Sequence, residues 1–451
     1  MSNPRRVAFD VLYKIETDKS YSSIAVNTAL KENSLNRLDS SFASAIIYGV
    51  LESKLTLDYI IRQYSSVRLK KIEAKTLMLL RIGVYQLLYM DKVPESAAVN
   101  ETVKIAKNLK LFKSSGFING ILRSITRDKE KCNLENILVN CGKDKEIAEI
   151  KYLSVKYSVP EEIISTWLTS YGKETVKDML SCLKGRPPLY ARVNTLKTTE
   201  DELIAKLSEE GISAEKTTLK NVISISNTGS VEENSSFKKG EFYIQDLSSN
   251  IAISTLSPKE GEVVYDVCSS PGGKSFTSSI LMNNKGRINA FDLYEHKIKL
   301  INSTSKRLGI DIIDAKVKDA STSTEENTAD VVICDVPCSG LGIIRRKPEI
   351  RYKEDLLDNS LKEIQYKILT SSAKLVKKGG RLMYSTCTLN PEENNKIVEK
   401  FLSEHKSFFG EKIILPENIK RTVEEKEYEC SLFPQSNNTD GFYFAILKRG
   451  D

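Results

Sequence analysis

Apolar positions recur every three to four residues through the first third of the chain. Val7, Val11, Leu12 and Ile15 make one stripe, and Phe42, Ile46, Ile47 and Val50 make another. Leu77, Leu80, Val84, Leu87 and Leu88 form the strongest, and Phe117, Ile118, Ile121, Leu122 and Ile125 the last. This is the period of a helix with one buried face. The turns between the stripes are short and no stretch alternates with period two. Residues 1–130 are therefore expected to form an all-α bundle of about seven helices, with the stripes as its core.

From Arg127 to Lys145 the chain becomes rich in Lys, Asp, Glu and Asn, which reads as a linker. A short helical connector holding Trp167 follows, and together they fill residues 131–184. Beyond that the pattern mixes strands and helices. Residues 185–240 read as a small α+β unit. It holds strands at Leu189–Val193 and Val222–Ile225, and a helix that Thr199 and Glu202 cap reciprocally and that ends near Gly211. Residues 241–451 carry the main unit. Its expected strands are Val263–Val267, Ile288–Phe291, Ile312–Val317, Val331–Cys334 and Arg381–Ser385. Helices are expected at Glu295–Leu308, Glu354–Lys377 and Glu392–Ser403, with Phe442–Leu447 as an added edge strand. Strand–helix alternation at this spacing predicts a doubly wound α/β domain with a mostly parallel sheet.

Charge adds one distinction. The chain of 451 residues carries a net charge of +7. Residues 1–150 hold 24 basic and 17 acidic side chains, and residues 151–451 hold 43 of each. A basic helical domain suits an anionic partner such as RNA, and equally suits a merely soluble bundle. No run approaches the roughly 18 apolar residues of a membrane span. Met1–Asp10 lacks the apolar core of a secretory signal, so the expected location is the cytoplasm. Eight cysteines (Cys132, Cys141, Cys182, Cys268, Cys334, Cys338, Cys387 and Cys430) include no C-x-x-C pair, and His296 and His405 are the only histidines. A zinc site and a Ser-His-Asp triad are both poorly supplied, and no metal is expected. Any chemistry falls to thiols, carboxylates and amines.

Ligands of open α/β sheets sit at the carboxyl ends of the strands. The first strand runs into D-V-C-S-S-P-G-G-K-S, Asp266–Ser275. Gly272 and Gly273 let backbone approach a ligand at a helix N-terminus. An ATP-binding P-loop would need glycine at Cys268, and the dinucleotide G-x-G-x-x-G is absent too. The turn still suits a nucleoside. Asp292, at the end of the second strand, can accept hydrogen bonds from a ribose. Asp319, after the third, can meet an adenine amino group or cap a helix. The fourth strand ends I-C-D-V-P-C-S-G-L-G (Ile333–Gly342) and the fifth Y-S-T-C-T-L-N-P-E-E-N (Tyr384–Asn394). Each places a cysteine just beyond an apolar strand, where helix N-termini and Lys274 could stabilise a thiolate.

Together these three motifs closely resemble the RNA (cytosine-5) methyltransferases of the Nol1/Nop2/Sun family. R-V-N-T-L-K (Arg192–Lys197), Q-D-L-S-S (Gln245–Ser249), R-R-K-P-E (Arg345–Glu349) and D-G-F-Y-F-A (Asp440–Ala445) resemble further family signatures. The helical third resembles the NusB-like RNA-binding domain, a combination similar to the Sun/Fmu branch that acts on bacterial 16S rRNA. Ser269 and Ser270 stand where the family more often has alanines, Lys347 where it often has histidine, and Asn437 and Asn438 where a histidine is usual.

The resemblance implies S-adenosylmethionine as cofactor and a specific cytosine of 16S rRNA as substrate; a monomer is the expected state. The same resemblance implies Cys387 as the nucleophile, Cys338 as assisting product release, and Asp335 against ring nitrogen 3 of the cytosine. Lys274 would help keep Cys387 ionised. Cys268, Ser269, Ser270, Pro271, Gly272, Gly273, Lys274, Asp292, Asp319 and Asp335 would line the cofactor site, with Cys268 and Cys334 only packing. Arg345, Arg346 and Lys347 could hold phosphates or form a solvated loop. Three alternatives stay open at this point. The DNA-enzyme arrangement would make Cys338 the nucleophile. The substrate could be a tRNA. The chain could also be a non-catalytic RNA-binding assembly factor.

Overall fold

The computed structural model describes residues 3–18, 22–140, 144–322, 325–353 and 356–451. Met1, Cys141 and Glu354, named in the sequence reading, lie outside these. The chain divides into two compact units, residues 1–184 with 344–354, and residues 185–343 with 355–451.

The first unit is helical. Among the described residues, seven helices, Pro4–Asp18, Ser22–Glu32, Arg37–Glu52, Lys54–Tyr64, Ala74–Tyr89, Glu95–Asn108 and Phe112–Arg127, precede four more. Of these, Lys145–Tyr157 starts inside the stretch read as linker, where Asp144 caps it by accepting from the Glu146 and Ile147 amides. Trp167 is buried on Glu161–Tyr171. The stripes meet as expected: Leu12, Ile46, Leu80, Val84, Ile118 and Ile125 share one core. Arg81, 4% exposed, pairs with Asp58 at 2.7 Å and with Glu16 at 2.8 Å, so its buried charge is compensated. Residues 344–354 pack within this unit. Arg351, 1% exposed, donates to the carbonyls of Tyr157 and Ser158, and the Tyr352 hydroxyl donates to the Leu51 carbonyl. The basic triplet Arg345–Lys347 therefore belongs to the helical unit.

The second unit opens with a four-stranded antiparallel sheet. Leu189–Val193 lies between Val222–Ser226 and Phe242–Ile244, and Ser213–Lys216 completes the edge. The two outer strands, four and three residues long, fall below what alternation reveals. The Thr199–Glu202 capping box forms as read.

The large sheet runs Phe408–Gly410, Phe442–Arg449, Val376–Thr386, Ala329–Asp335, Val263–Asp266, Arg287–Asp292, Ile313–Val317. The last five of these are parallel and place their carboxyl ends on one edge. Phe442–Arg449 is not the edge strand its position in the chain suggested. It runs antiparallel between Val376–Thr386 and Phe408–Gly410, and also pairs with Glu429–Leu432. Its run from Phe442 to Leu447 is buried throughout, which is the pattern of an interior strand. The long helix is Asn359–Leu375, shorter than expected at both ends.

Candidate active site

The first strand, Val263–Asp266, delivers the turn that holds the glycines. Gly272 adopts φ +101 and begins the helix Gly273–Leu281. A Cβ at Gly272 would stand 2.4 Å from the Phe276 ring, and one at Gly273 would stand 3.0 Å from the Gln245 amide nitrogen. Only glycine leaves this turn open. The peptide bond Ser270–Pro271 is cis, and Ser269 Oγ lies 3.0 Å from Ser275 Oγ. Thr277 Oγ1 donates to Gln245 Oε1 at 2.7 Å, which ties the start of the helix to the Q-D-L-S-S segment.

Asp266 is fully buried beneath this turn. Its Oδ2 accepts from Ser275 Oγ at 2.7 Å, and its Oδ1 has no partner. Burial pushes the carboxyl up to about 6. An unpartnered buried carboxylate oxygen is costly unless something cationic meets it. Asp292, 7% exposed, ends the second strand and pairs with Lys297 at 3.1 Å. The open glycine turn, the Asp266 oxygen and the Asp292 carboxylate fit a nucleoside that carries a positive charge. Asp319 is exposed and accepts from the Ser321 amide at 2.8 Å, so it caps the turn Ala320–Thr322.

The fourth strand ends at Asp335. One of its carboxylate oxygens accepts from Lys274 Nζ at 2.6 Å and the other from Ser385 Oγ at 2.7 Å. Burial pulls the Lys274 ammonium down, but the Asp335 carboxylate, with Asp266 behind it, more than restores it, so its pKa lies above the ordinary value. Lys274 also lies 5.2 Å from the centre of the Phe442 ring. The cation that sequence reading set beside Cys387 thus bonds directly to Asp335, and Cys387 feels it only through space.

The two cysteines converge. Cys338 Sγ lies 3.0 Å from Cys387 Sγ, and both side chains are half-buried. A disulfide would be about 2.05 Å, so this is a hydrogen-bonded thiol pair. Three backbone and hydroxyl contacts lock the loops together. The Gly342 amide donates to the Cys387 carbonyl at 3.0 Å, the Gly441 amide to the Gly342 carbonyl at 2.9 Å, and Ser339 Oγ meets Thr388 Oγ1 at 2.8 Å. Cys268 packs half-buried against the core that contains Cys334. Cys334 is fully buried, and its thiol is pushed up to about 12 by burial.

Two supporting residues carry no motif chemistry of their own. Glu393, 1% exposed, accepts from the Ser339 amide and from Gln365 Nε2, both at 2.8 Å, and from Asn390 Nδ2 at 3.0 Å. Gln365 also donates to the Pro337 carbonyl at 2.9 Å. Both peptide groups that flank Cys338 are therefore held by one buried pair. Sequence reading missed Gln365, and the available signal was a glutamine on the same helix face as Ile368, Leu369 and Ser372. Among the described residues no cluster could hold a metal ion, and no helix is long and apolar enough to cross a membrane.

Comparison with known proteins gives one consistent result. Residues 253–448 match the family described as 16S rRNA methyltransferase RsmB/F, residues 2–127 match the NusB family, and residues 159–232 match the ferredoxin-like domain of RsmF/B-like methyltransferases. The chain is 34% identical over 452 residues to the "Probable ribosomal RNA small subunit methyltransferase B" of Bacillus subtilis, covering 99% of this chain and 98% of that one. It is 31% identical to the protein of the same name from Synechocystis, covering all of both. Among solved structures, PH0851 superposes with a TM-score of 0.81 at 25% identity, over 100% of this chain and 99% of that one. NSun6 from Pyrococcus horikoshii, solved with SFG, shares the fold, with a TM-score of 0.58 at 22% identity over 65% of this chain and 98% of that one.

Proposed function

We propose a chemistry for a chain that belongs to the 16S rRNA methyltransferase RsmB/F family and is a small-subunit rRNA methyltransferase. The reaction is methylation of carbon 5 of a specific cytosine in 16S rRNA, through a covalent bond between Cys387 and carbon 6. The observation that carries this reading is the thiol pair Cys338–Cys387, 3.0 Å apart, beside the Lys274–Asp335 ion pair.

Carbon 5 of cytosine is a weak nucleophile until something adds at carbon 6. Cys387 forms that bond as the thiolate, having already lost its proton, and the electron pair displaced from the ring's double bond is shared between nitrogen 3 and carbon 5. Asp335 faces ring nitrogen 3 and the exocyclic amine. To meet the negative charge developing on nitrogen 3, Asp335 must carry or share a proton in that step, and the Lys274 ammonium bonded to it offsets the remaining negative charge. S-adenosylmethionine, when bound, supplies the electrophilic methyl group. The glycine turn Cys268–Lys274, with Asp292, Asp319 and Asp335, would hold it, and Asp266 would face its charge. Once carbon 5 is methylated, a base takes the proton it carried, the carbon 6–sulfur bond breaks with its electrons returning to sulfur, and Cys387 is restored. Cys338 assists this last step by donating its S–H to the departing sulfur. The target base must leave its stack to reach the pair.

The helical domain, residues 1–130, is the RNA-binding module in this reading, with residues 131–184 as connector, 185–240 as the small α+β unit and 241–451 as the methyltransferase domain. The protein acts in the cytoplasm as a monomer. The test is transfer of labelled methyl from S-adenosylmethionine to 16S rRNA, followed by digestion to nucleosides. Label in 5-methylcytidine supports the reading, and label in any other nucleoside, or none, overturns it.

A further inference from the structure

The helices Asn359–Leu375 and Asn395–Glu404, with the turn Ala320–Thr322, enclose an open groove of about 750 Å³. Five of its lining residues are lysines, Lys362, Lys367, Lys374, Lys396 and Lys400, against two glutamates. Residues 151–451 carry equal numbers of basic and acidic side chains, so this excess is local and not the background of the unit.

Carboxylates compensate only part of this charge: Asp319 feels the charge of Lys367, and Glu363 and Glu392 line the groove against five lysines. Lys362 and Lys396 share a single carboxylate, Glu392, at 3.8 and 3.7 Å. Lys400 places its ammonium 4.1 Å from the centre of the Tyr366 ring. Lys367 and Lys374 are exposed and form no ion pair among the described residues. Cations gathered on one concave face repel each other and raise the local anion concentration. The rest of the lining includes hydroxyl and amide donors such as Ser321, Thr322 and Asn359, which suit phosphate oxygens. A protein partner would be expected to find a buried aromatic or aliphatic anchor, and the only aromatic or aliphatic residues in this lining are Tyr366 and Ile397, the lysine stems supplying the rest of its apolar surface. Glu392, which lines the groove, stands on the turn Pro391–Glu393, a few residues after Cys387 in the chain.

We propose that this lysine groove is the track for the phosphodiester backbone of single-stranded RNA flanking the target base. The inference rests on the RNA methyltransferase reading and adds to it a surface outside the catalytic cluster. The occupant is a polyanion several nucleotides long, held by charge and not read by sequence. Each neutralised phosphate contributes about 0.7 to the slope of log affinity against log salt for a single strand.

The experiment compares the full chain with a triple variant, Lys367→Gln, Lys374→Gln and Lys400→Gln, on a 16S rRNA fragment. Binding is titrated across a salt series, and methyl transfer is followed in parallel. The expected result is a salt slope shallower by about 2, a raised KM, and kcat at saturating RNA within about twofold of the parent. Lys285→Gln, at a lysine paired with Glu260 outside the groove, should leave the slope unchanged. A triple variant with the parent's slope and KM overturns the track. If the parent itself transfers no methyl to rRNA, the enzymatic reading fails instead, and the salt slope still decides whether the groove holds RNA.

Discussion

The sulfur of Cys338 lies 3.0 Å from that of Cys387, close enough for one thiol to donate to the other. The Cys338 thiol is held well above its ordinary pKa by its bond to Cys387, by burial, and by the negative charges of Glu393 and Asp335. Either sulfur can be the donor of this bond, so the geometry alone leaves the two roles to be separated by substitution.

Single substitutions separate the two roles. With rRNA and cofactor present, Cys387→Ala is expected to form no covalent RNA adduct. Cys338→Ala should form one that accumulates, because the departing sulfur loses its donor. A denaturing gel reads this directly as protein that migrates with RNA. Accumulation in Cys387→Ala and none in Cys338→Ala would reverse the assignment.

The Gln365–Glu393 pair holds the peptide groups on both sides of Cys338. Gln365→Met keeps the volume but removes two hydrogen bonds, one of them to a buried carboxylate. A bond to a charged group is worth roughly 1.5–3 kcal/mol, and a destabilisation of that order is expected in denaturant titration. The functional effect should copy Cys338→Ala: adduct forms and is released slowly. A variant that loses stability yet releases product at the parent rate would make the pair purely structural.

The sheet was legible in the sequence because its central parallel strands are buried on both faces and read as short apolar runs ended by polar turns, whereas the outer strand Ile313–Val317 is half-buried to exposed. Ile288–Phe291 and Ile312–Val317 differ from the observed strands only at their ends. The cysteine loops were legible because chemistry-bearing residues cluster just past those runs. Three things were not legible. Phe442–Arg449 gains its second neighbour from Phe408–Gly410, a strand too short to show a period. Arg345–Lys347 follows a site motif in sequence, yet residues 344–354 belong by contact to the helical unit, and no local pattern announces such a crossing. Asp335 and Ser385 are 50 residues apart and meet only because their strands are neighbours.

Asp266 makes stability depend on pH in a defined direction. Its folded carboxyl titrates at about 6 against an ordinary 3.8, so the folded state binds the proton more tightly than the unfolded one. The stability this contributes is complete below about pH 4 and is lost as pH rises through 6, a change of about 3 kcal/mol. Asp266→Asn cannot titrate. Whatever constant cost its amide brings, its stability relative to the parent should rise by roughly 2.4 kcal/mol between pH 4 and 7 in cofactor-free protein. Calorimetry across that range checks it, and parallel curves for the two proteins would refute it. Saturating cofactor should shrink the difference, because a cation beside the Asp266 oxygen favours the ionised form.

Two glycines test whether a tight turn is tight for a side chain or for backbone. At Gly272 an added Cβ meets the Phe276 ring at 2.4 Å, and φ +101 adds strain of roughly 1–2 kcal/mol for any L residue. At Gly342 the Cβ meets the Gly441 carbonyl oxygen at 1.9 Å and the Cys387 carbonyl oxygen at 2.8 Å, both backbone atoms. A ring can be shortened, whereas a carbonyl cannot. Gly272→Ala is therefore expected to weaken cofactor binding and to regain part of it with Phe276→Leu as a second change. Gly342→Ala forces apart the loops that hold the two cysteines, and should cost more than about 3 kcal/mol of stability. Leu389, whose side chain abuts Gly441, offers the nearest flexible relief, yet Leu389→Ala should not rescue Gly342→Ala, because the clash is with peptide oxygens. Calorimetric titration of cofactor and thermal unfolding measure the two pairs. Rescue at Gly342, or none at Gly272, would mean that the backbone gives way where the side chain does not.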